Sequence, residues 1–222
     1  MSLRIVFDLD GTLIDSAPDL CAIANTLLAA RALEPISLVQ AREFIGNGAS
    51  VFVEKLRKSR DIPDTDHDAL LCSYLTLYAA LDLTLTAPYP GLVEALSTLQ
   101  AQGYAMGICT NKPLKAAHAV LDHFELGGFF DAVIGGDSLS VHKPDPTPLH
   151  AAFEALGAGP RLYVGDSEVD AETAARAHVP FLLFTEGYRK SPISELNFQG
   201  NFSHFKALPE LISSIRTRAV WH

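Results

Sequence analysis

The sequence predicts an α/β protein: a parallel sheet flanked by helices, with a helical subdomain inserted after the first strand. Three observations carry this. Short apolar runs alternate with stretches of helical period. One long stretch, residues 16–82, has helical patterns and no strand. Residues able to do chemistry stand directly after the apolar runs, where ligands bind in open parallel sheets.

Taken in order, residues 3–7 form the first buried run, and the chain then enters the insertion. Pro18 suits a first helical turn, and Pro35, Gly46, Gly48 and Pro63 divide the insertion into four helices. Pro88, Pro90 and Gly91 mark the return to the sheet. Further strands are expected at 104–109, 132–134, 162–164 and 181–184. Crossover helices are expected at 93–100, 114–123, 147–156 and 171–177, and a final amphipathic helix at 208–218. The expected division is a core of residues 1–15 and 83–222 and an inserted unit of 16–82.

With 222 residues, 48% of them hydrophobic, the chain can bury a large core without staples. A formal charge of −9 disfavours nucleic acid and anionic membranes, so an anionic substrate must meet local positive charge. Cys21, Cys72 and Cys109 lie far apart, which argues against a zinc site or a disulfide framework and fits a reducing cytoplasm. No apolar run is long enough to span a bilayer, and Arg4 and Asp8 fall inside what would be a signal-peptide core.

The first run ends in Asp8-Leu9-Asp10-Gly11-Thr12. In an extended chain Asp8 and Asp10 leave on the same side, and two close carboxylates persist when a cation neutralises them or one holds a proton. The second expected strand ends at Thr110-Asn111, where Thr110 is either an N-cap or a functional group. Next comes Lys143-Pro144-Asp145-Pro146, whose prolines stiffen the segment around the lysine. The strand at 162–164 leads into Gly165-Asp166, with Asp170 one turn on, placed either to cap the helix or to serve the site.

In this order and spacing, the Asp8-x-Asp10-Gly-Thr box, Thr110, Lys143-Pro144 and Gly165-Asp166 resemble the four motifs of the haloacid dehalogenase superfamily. The resemblance covers the whole chain and implies a Rossmann-like core with an all-α cap of the first (C1) class. It implies that Asp8 is a nucleophile forming an aspartyl-phosphate and that Asp10 is the acid/base. Asp8, Asp166 and the main-chain carbonyl of Asp10 would hold Mg²⁺, with Asp170 as ligand or anchor. Thr110 and Lys143 would bind the transferring phosphoryl group, with Thr12 and Asn111 in the substrate site. The superfamily's dehalogenases lack a carboxylate at the Asp10 position, so phosphate-ester chemistry is expected.

Residues 8–16, Ile45-Gly46-Asn47-Gly48-Ala49, Thr110-Asn111-Lys112-Pro113 and 181–189 are similar to the bacterial phosphoglycolate phosphatase family. That resemblance implies a small phosphorylated metabolite, 2-phosphoglycolate, as substrate. Gly46-Asn47-Gly48 is then a substrate-specificity loop, or else a plain helix connection. Arg42, Lys55, Arg57 and Lys58 are expected mostly as solvated surface, and Tyr188-Arg189-Lys190 as a surface loop. The alternatives are another small-metabolite phosphatase, a phosphoryl-transferring mutase of the β-phosphoglucomutase type, or a non-catalytic phosphate-binding protein. A monomer or homodimer is expected.

Overall fold

The computed structural model describes residues 2–218. Its strands are β1 (Arg4–Phe7), β2 (Ile14–Asp15), β3 (Ala87–Pro88), β4 (Ala105–Cys109), β5 (Ala132–Ile134), β6 (Arg161–Gly165), β7 (Phe181–Phe184) and β8 (Gly200–Phe202). Its α-helices are α1 (Ala17–Ala29), α2 (Leu38–Phe44), α3 (Gly48–Lys58), α4 (His67–Ala79), α5 (Leu92–Ala101), α6 (Leu114–His123), α7 (Thr147–Ala155), α8 (Glu168–Ala177) and α9 (Leu208–Arg218).

Six strands form one parallel sheet in the order β5-β4-β1-β6-β7-β8. Strands covered on both faces need apolar residues at every position, which explains unbroken runs such as Phe-Leu-Leu-Phe in β7. Successive side chains go to opposite faces. Thus Ile5 and Phe7 pack with Leu96, Ile108, Val164 and Phe205, while Val6 packs on the other face with Leu149, Phe153, Tyr163 and Leu183. Because β1 lies between β4 and β6, the strand order reverses around it. The crevice beyond its C-terminal end is where such sheets bind ligands.

The inserted stretch folds into the four expected helices, α1 to α4. Their inward residues, among them Leu20, Leu28, Phe52, Leu56 and Tyr74, form a hydrophobic cluster separate from the two on the sheet. Ser37 and Gln40 make a capping box that starts α2. Two features tie the insertion to the sheet domain. Strands β2 and β3 pair antiparallel where the chain leaves and returns. Asp19, buried in the first turn of α1, accepts from the Thr86 N–H and hydroxyl at 2.7 and 2.6 Å and from the Leu85 N–H at 3.2 Å.

Four elements differ from expectation. Strand β8 was not anticipated, because Gly-Asn-Phe supplies one large apolar residue to an edge position. The β2/β3 ribbon is two residues long on each side, too short for a period to show. Helix α8 begins at Glu168 rather than at 171, because Ser167 caps it in a capping box with Asp170.

Candidate active site

The tips of β1, β4 and β6 place Asp8, Thr110 and Asp166 together beyond the sheet's C-terminal edge, all buried. Lys143 arrives from the loop before α7, next to a cis Lys143–Pro144 bond. Its ammonium donates to Asp8 Oδ1 at 2.8 Å, Asp170 Oδ1 at 2.7 Å and the Tyr163 hydroxyl at 2.8 Å. Three acceptors match the three N–H groups of a lysine. Burial would lower this lysine, but the Asp170 and Asp8 carboxylates outweigh it and hold the ammonium above its usual range.

Asp170 caps α8 and also accepts from Lys143. Burial would raise its carboxyl, but Lys143, Ser167 and Tyr163 hold it below the usual range. Its Oδ1 accepts from Lys143 and Tyr163, while its Oδ2 accepts from the Ser167 hydroxyl at 2.6 Å and from the Asp166 and Ser167 N–H groups. So fully bonded a carboxylate anchors its neighbours. Asp166 keeps more capacity, accepting from Thr12 Oγ1 at 2.7 Å and the Tyr188 N–H at 2.6 Å. Burial, then the charges of Asp170 and Asp8, push Asp166 well above the carboxylate range. Burial likewise raises Asp8 to about 7, against the opposing pull of Lys143.

Asp8, Asp166 and Asp170 each offer an oxygen within 4.8 Å of one another. Three buried acids beside one lysine carry excess negative charge, and an all-oxygen donor set suits a hard divalent cation. The residues therefore fit a metal of that class, with Asp8 and Asp166 as the side chains free to face it. Cys109, also at the tip of β4, is pushed up to about 12 by burial and stays a thiol.

Asp10 faces the same cavity as Asp8, Thr110 and Asn111, and this cavity extends under the inserted helices to Gly46, Gly48, Phe52 and Tyr78. Its Oδ1 accepts from the Ser16 hydroxyl at 2.6 Å and from Lys112 Nζ at 2.7 Å. Thr110 is not a helix cap: α6 starts after Pro113, and Thr110 Oγ1 accepts from the Lys112 N–H. Asn111 lines the cavity, but its amide is engaged with the backbone of Lys143 and, at 3.0 Å, with the Gly46 carbonyl. The glycine turn thus reaches the sheet domain through Asn111, while Asn47 does not line the cavity. Thr12, expected among the substrate contacts, is wholly buried and bonded to Asp166 instead, because the turn at Gly11 directs it under the sheet tips.

Several site residues were not legible beforehand. Tyr188 was expected in a surface loop, yet it is buried and belongs to the cluster under the inserted helices. Its hydroxyl accepts from the Ser16 and Ala17 N–H groups at 2.7 and 3.0 Å and donates to Asp15 Oδ1 at 2.7 Å. Gly187 lets this loop lie against Asp166, since a Cβ there would run into Asp166 Oδ2. Away from the site, Arg57 is also buried rather than solvated, donating to the Ile62 carbonyl and pairing with Asp64. The one available signal was at Tyr163, because a tyrosine inside a buried strand needs a partner for its hydroxyl.

The haloacid dehalogenase-like hydrolase family model matches residues 5–184, most of the chain. The chain belongs to that family, and within it the chain is a phosphatase. In particular it resembles bacterial proteins named phosphoglycolate phosphatase. One from Cereibacter sphaeroides (strain ATCC 17029) is 48% identical over 94% of this chain and 96% of its own length. One from Rhodobacter capsulatus is 42% identical over 96% and 97%. A crystal structure described as a predicted phosphoglycolate phosphatase from Haemophilus somnus superposes with a TM-score of 0.87, at 30% identity over 94% of this chain and 97% of that one.

Proposed function

We propose that this phosphatase hydrolyses 2-phosphoglycolate to glycolate and phosphate through an aspartyl-phosphate on Asp8, with Mg²⁺ as cofactor. The observation that carries it is the position of Asp8, at the sheet's switch point, held by Lys143 at 2.8 Å and sharing a cavity with Asp10. Asp8, Asp166 and the Asp10 carbonyl would hold Mg²⁺, which when bound would supply the positive charge that lets a phosphate dianion approach a carboxylate. Asp8 then attacks phosphorus while Thr110 and Lys143 steady the phosphoryl oxygens. Asp10 protonates the leaving oxygen, then takes a proton from the water that opens the aspartyl-phosphate.

The division into a core of residues 1–15 and 83–222 and a cap of 16–82 belongs to the same reading. It is supported by the separate hydrophobic cluster of the insertion and by its β2/β3 base. A cap closed over a small substrate keeps bulk water from the reacting groups. The substrate is supported by the names of the relatives and by a cavity walled with Phe52, Tyr74 and Tyr78.

The test is phosphate release from 2-phosphoglycolate, sugar phosphates, nucleoside monophosphates and pyrophosphate, with Mg²⁺ and with chelator. Fastest turnover of 2-phosphoglycolate, lost on chelation, is expected. Conversion of a sugar phosphate to its isomer would instead indicate a mutase. Asp8→Asn should abolish turnover, and Asp10→Asn should lower kcat by about 10²–10⁴-fold. Near-normal rates in either variant would sink the mechanism.

A further inference from the structure

We propose that Lys112 is the specificity-determining residue of this site: its ammonium, beside Asp10, binds the carboxylate of the substrate. The inference deepens the 2-phosphoglycolate reading and rests on it.

The contrast between the site's two buried lysines carries the argument. In this structure Lys143 has three protein acceptors for its three N–H groups, one of them the Asp8 carboxylate that the phosphoryl group would join. The Lys112 side chain is 1% exposed, yet among the described residues its ammonium donates one hydrogen bond, to Asp10 Oδ1 at 2.7 Å. The Tyr78 ring covers a second side, 4.9 Å from Nζ. At least one donor of a nearly inaccessible cation thus remains without a protein acceptor, and buried donors are ordinarily paired. What remains around it is the cavity that Lys112 lines with Asp8, Asp10 and Thr110.

Charge and placement define what fits there. Among the residues lining this cavity, Lys112 is the one cation and Asp8 and Asp10 are the acids. A second anionic group on the substrate would be repelled by both carboxylates everywhere except against Lys112. With phosphorus at Asp8 and the ester oxygen within reach of Asp10, the lysine bonded to Asp10 is within reach of a group carried a short distance beyond that oxygen. In 2-phosphoglycolate the carboxylate is one methylene beyond it. A small acid with its carboxylate next to the phosphate-bearing carbon matches that separation, whereas a longer sugar phosphate presents hydroxyls to an ammonium and aromatic wall.

The experiment compares kcat/KM for 2-phosphoglycolate with that for 2-hydroxyethyl phosphate, which replaces the carboxylate by an alcohol. Wild-type protein should favour 2-phosphoglycolate. Lys112→Met should reduce that preference about 10- to 100-fold, the worth of a charge-assisted hydrogen bond, chiefly through KM for 2-phosphoglycolate. Lys112→Arg should restore most of it. If Lys112→Met does not fold, Lys112→Gln serves, with circular dichroism confirming the fold of each variant. A wild-type ratio retained in the neutral variants overturns the proposal and leaves Lys112 serving Asp10 or the phosphoryl group alike for both substrates. No preference in the wild type would remove the 2-phosphoglycolate reading itself, and this proposal with it.

Discussion

Asp8, Asp166 and Asp170 are three buried acids around one buried lysine, and the balance among them governs what each substitution does. Removing Lys143 leaves Asp8 and Asp170 facing each other with no ammonium between them. Breaking a buried ion pair by deleting one partner costs about 3–5 kcal/mol, so Lys143→Met should lower stability by an amount of that order and abolish turnover. Chemical denaturation with and without Mg²⁺ would check the first part. Stability unchanged from wild type would show that the acids are accommodated by other means. The aspartates of the first box were legible from spacing alone, because adjacent carboxylates at a strand end demand compensation. The Thr12 bond to Asp166 was not, since it joins residues 154 positions apart.

At the scale of elements, the loop after β7 does the most that the sequence concealed. It brings the Tyr188 N–H to Asp166 and the Tyr188 hydroxyl to the start of α1. Tyr188→Phe leaves the buried Ser16 and Ala17 N–H groups without that acceptor, a loss of about 1–3 kcal/mol. For a protein of this length the melting temperature should fall by about 2–4 °C per kcal/mol, measurable by calorimetry. Gly187→Ala should act differently, by displacing Asp166. Disturbing a group that supports a metal ligand typically costs about 10–100-fold in affinity, so the Mg²⁺ concentration for half-maximal activity should rise by that factor. An unchanged Mg²⁺ requirement would mean that the loop yields and Asp166 keeps its place. Apolar runs announced most of the large sheet's strands, because a doubly covered strand needs them. The loops carried no comparable periodicity, and their roles came from distant partners.

For the whole molecule, metal and protons should compete for the same buried acids. Asp8 and Asp166 are both raised above their ordinary value of 3.8, Asp8 to about 7. A carboxyl with a raised folded-state value favours the fold in its protonated form. Its contribution is fully present below the unfolded value and is lost as pH rises through the folded one. Without divalent cation, the melting temperature of the wild type should therefore fall between about pH 4 and pH 7 relative to Asp8→Asn. Excess Mg²⁺ should raise it more at pH 8 than at pH 5, because the ligands must be deprotonated to bind. Thermal melts at matched ionic strength would check this, and equal Mg²⁺ stabilisation at both pH values would count against a site on these acids.

By itself the sequence determined the architecture and the neighbourhood of Asp8. The alternation of apolar runs and helical periods dictates a parallel sheet, and a parallel sheet assembles whatever follows its strands at one edge. Asp8, Thr110 and Asp166 could be gathered on paper for that reason, as could the helical insertion between the first two strands of the large sheet. Only the tertiary structure decided which groups hold them. Lys112 against Asp10, Tyr163 against Lys143, Asn111 against Gly46 and Tyr188 beneath the inserted helices are pairings across chain separations of 20 residues or more. Local propensity carries no information about such partners, because their choice depends on the path of the intervening chain and on which buried donors remain to be satisfied.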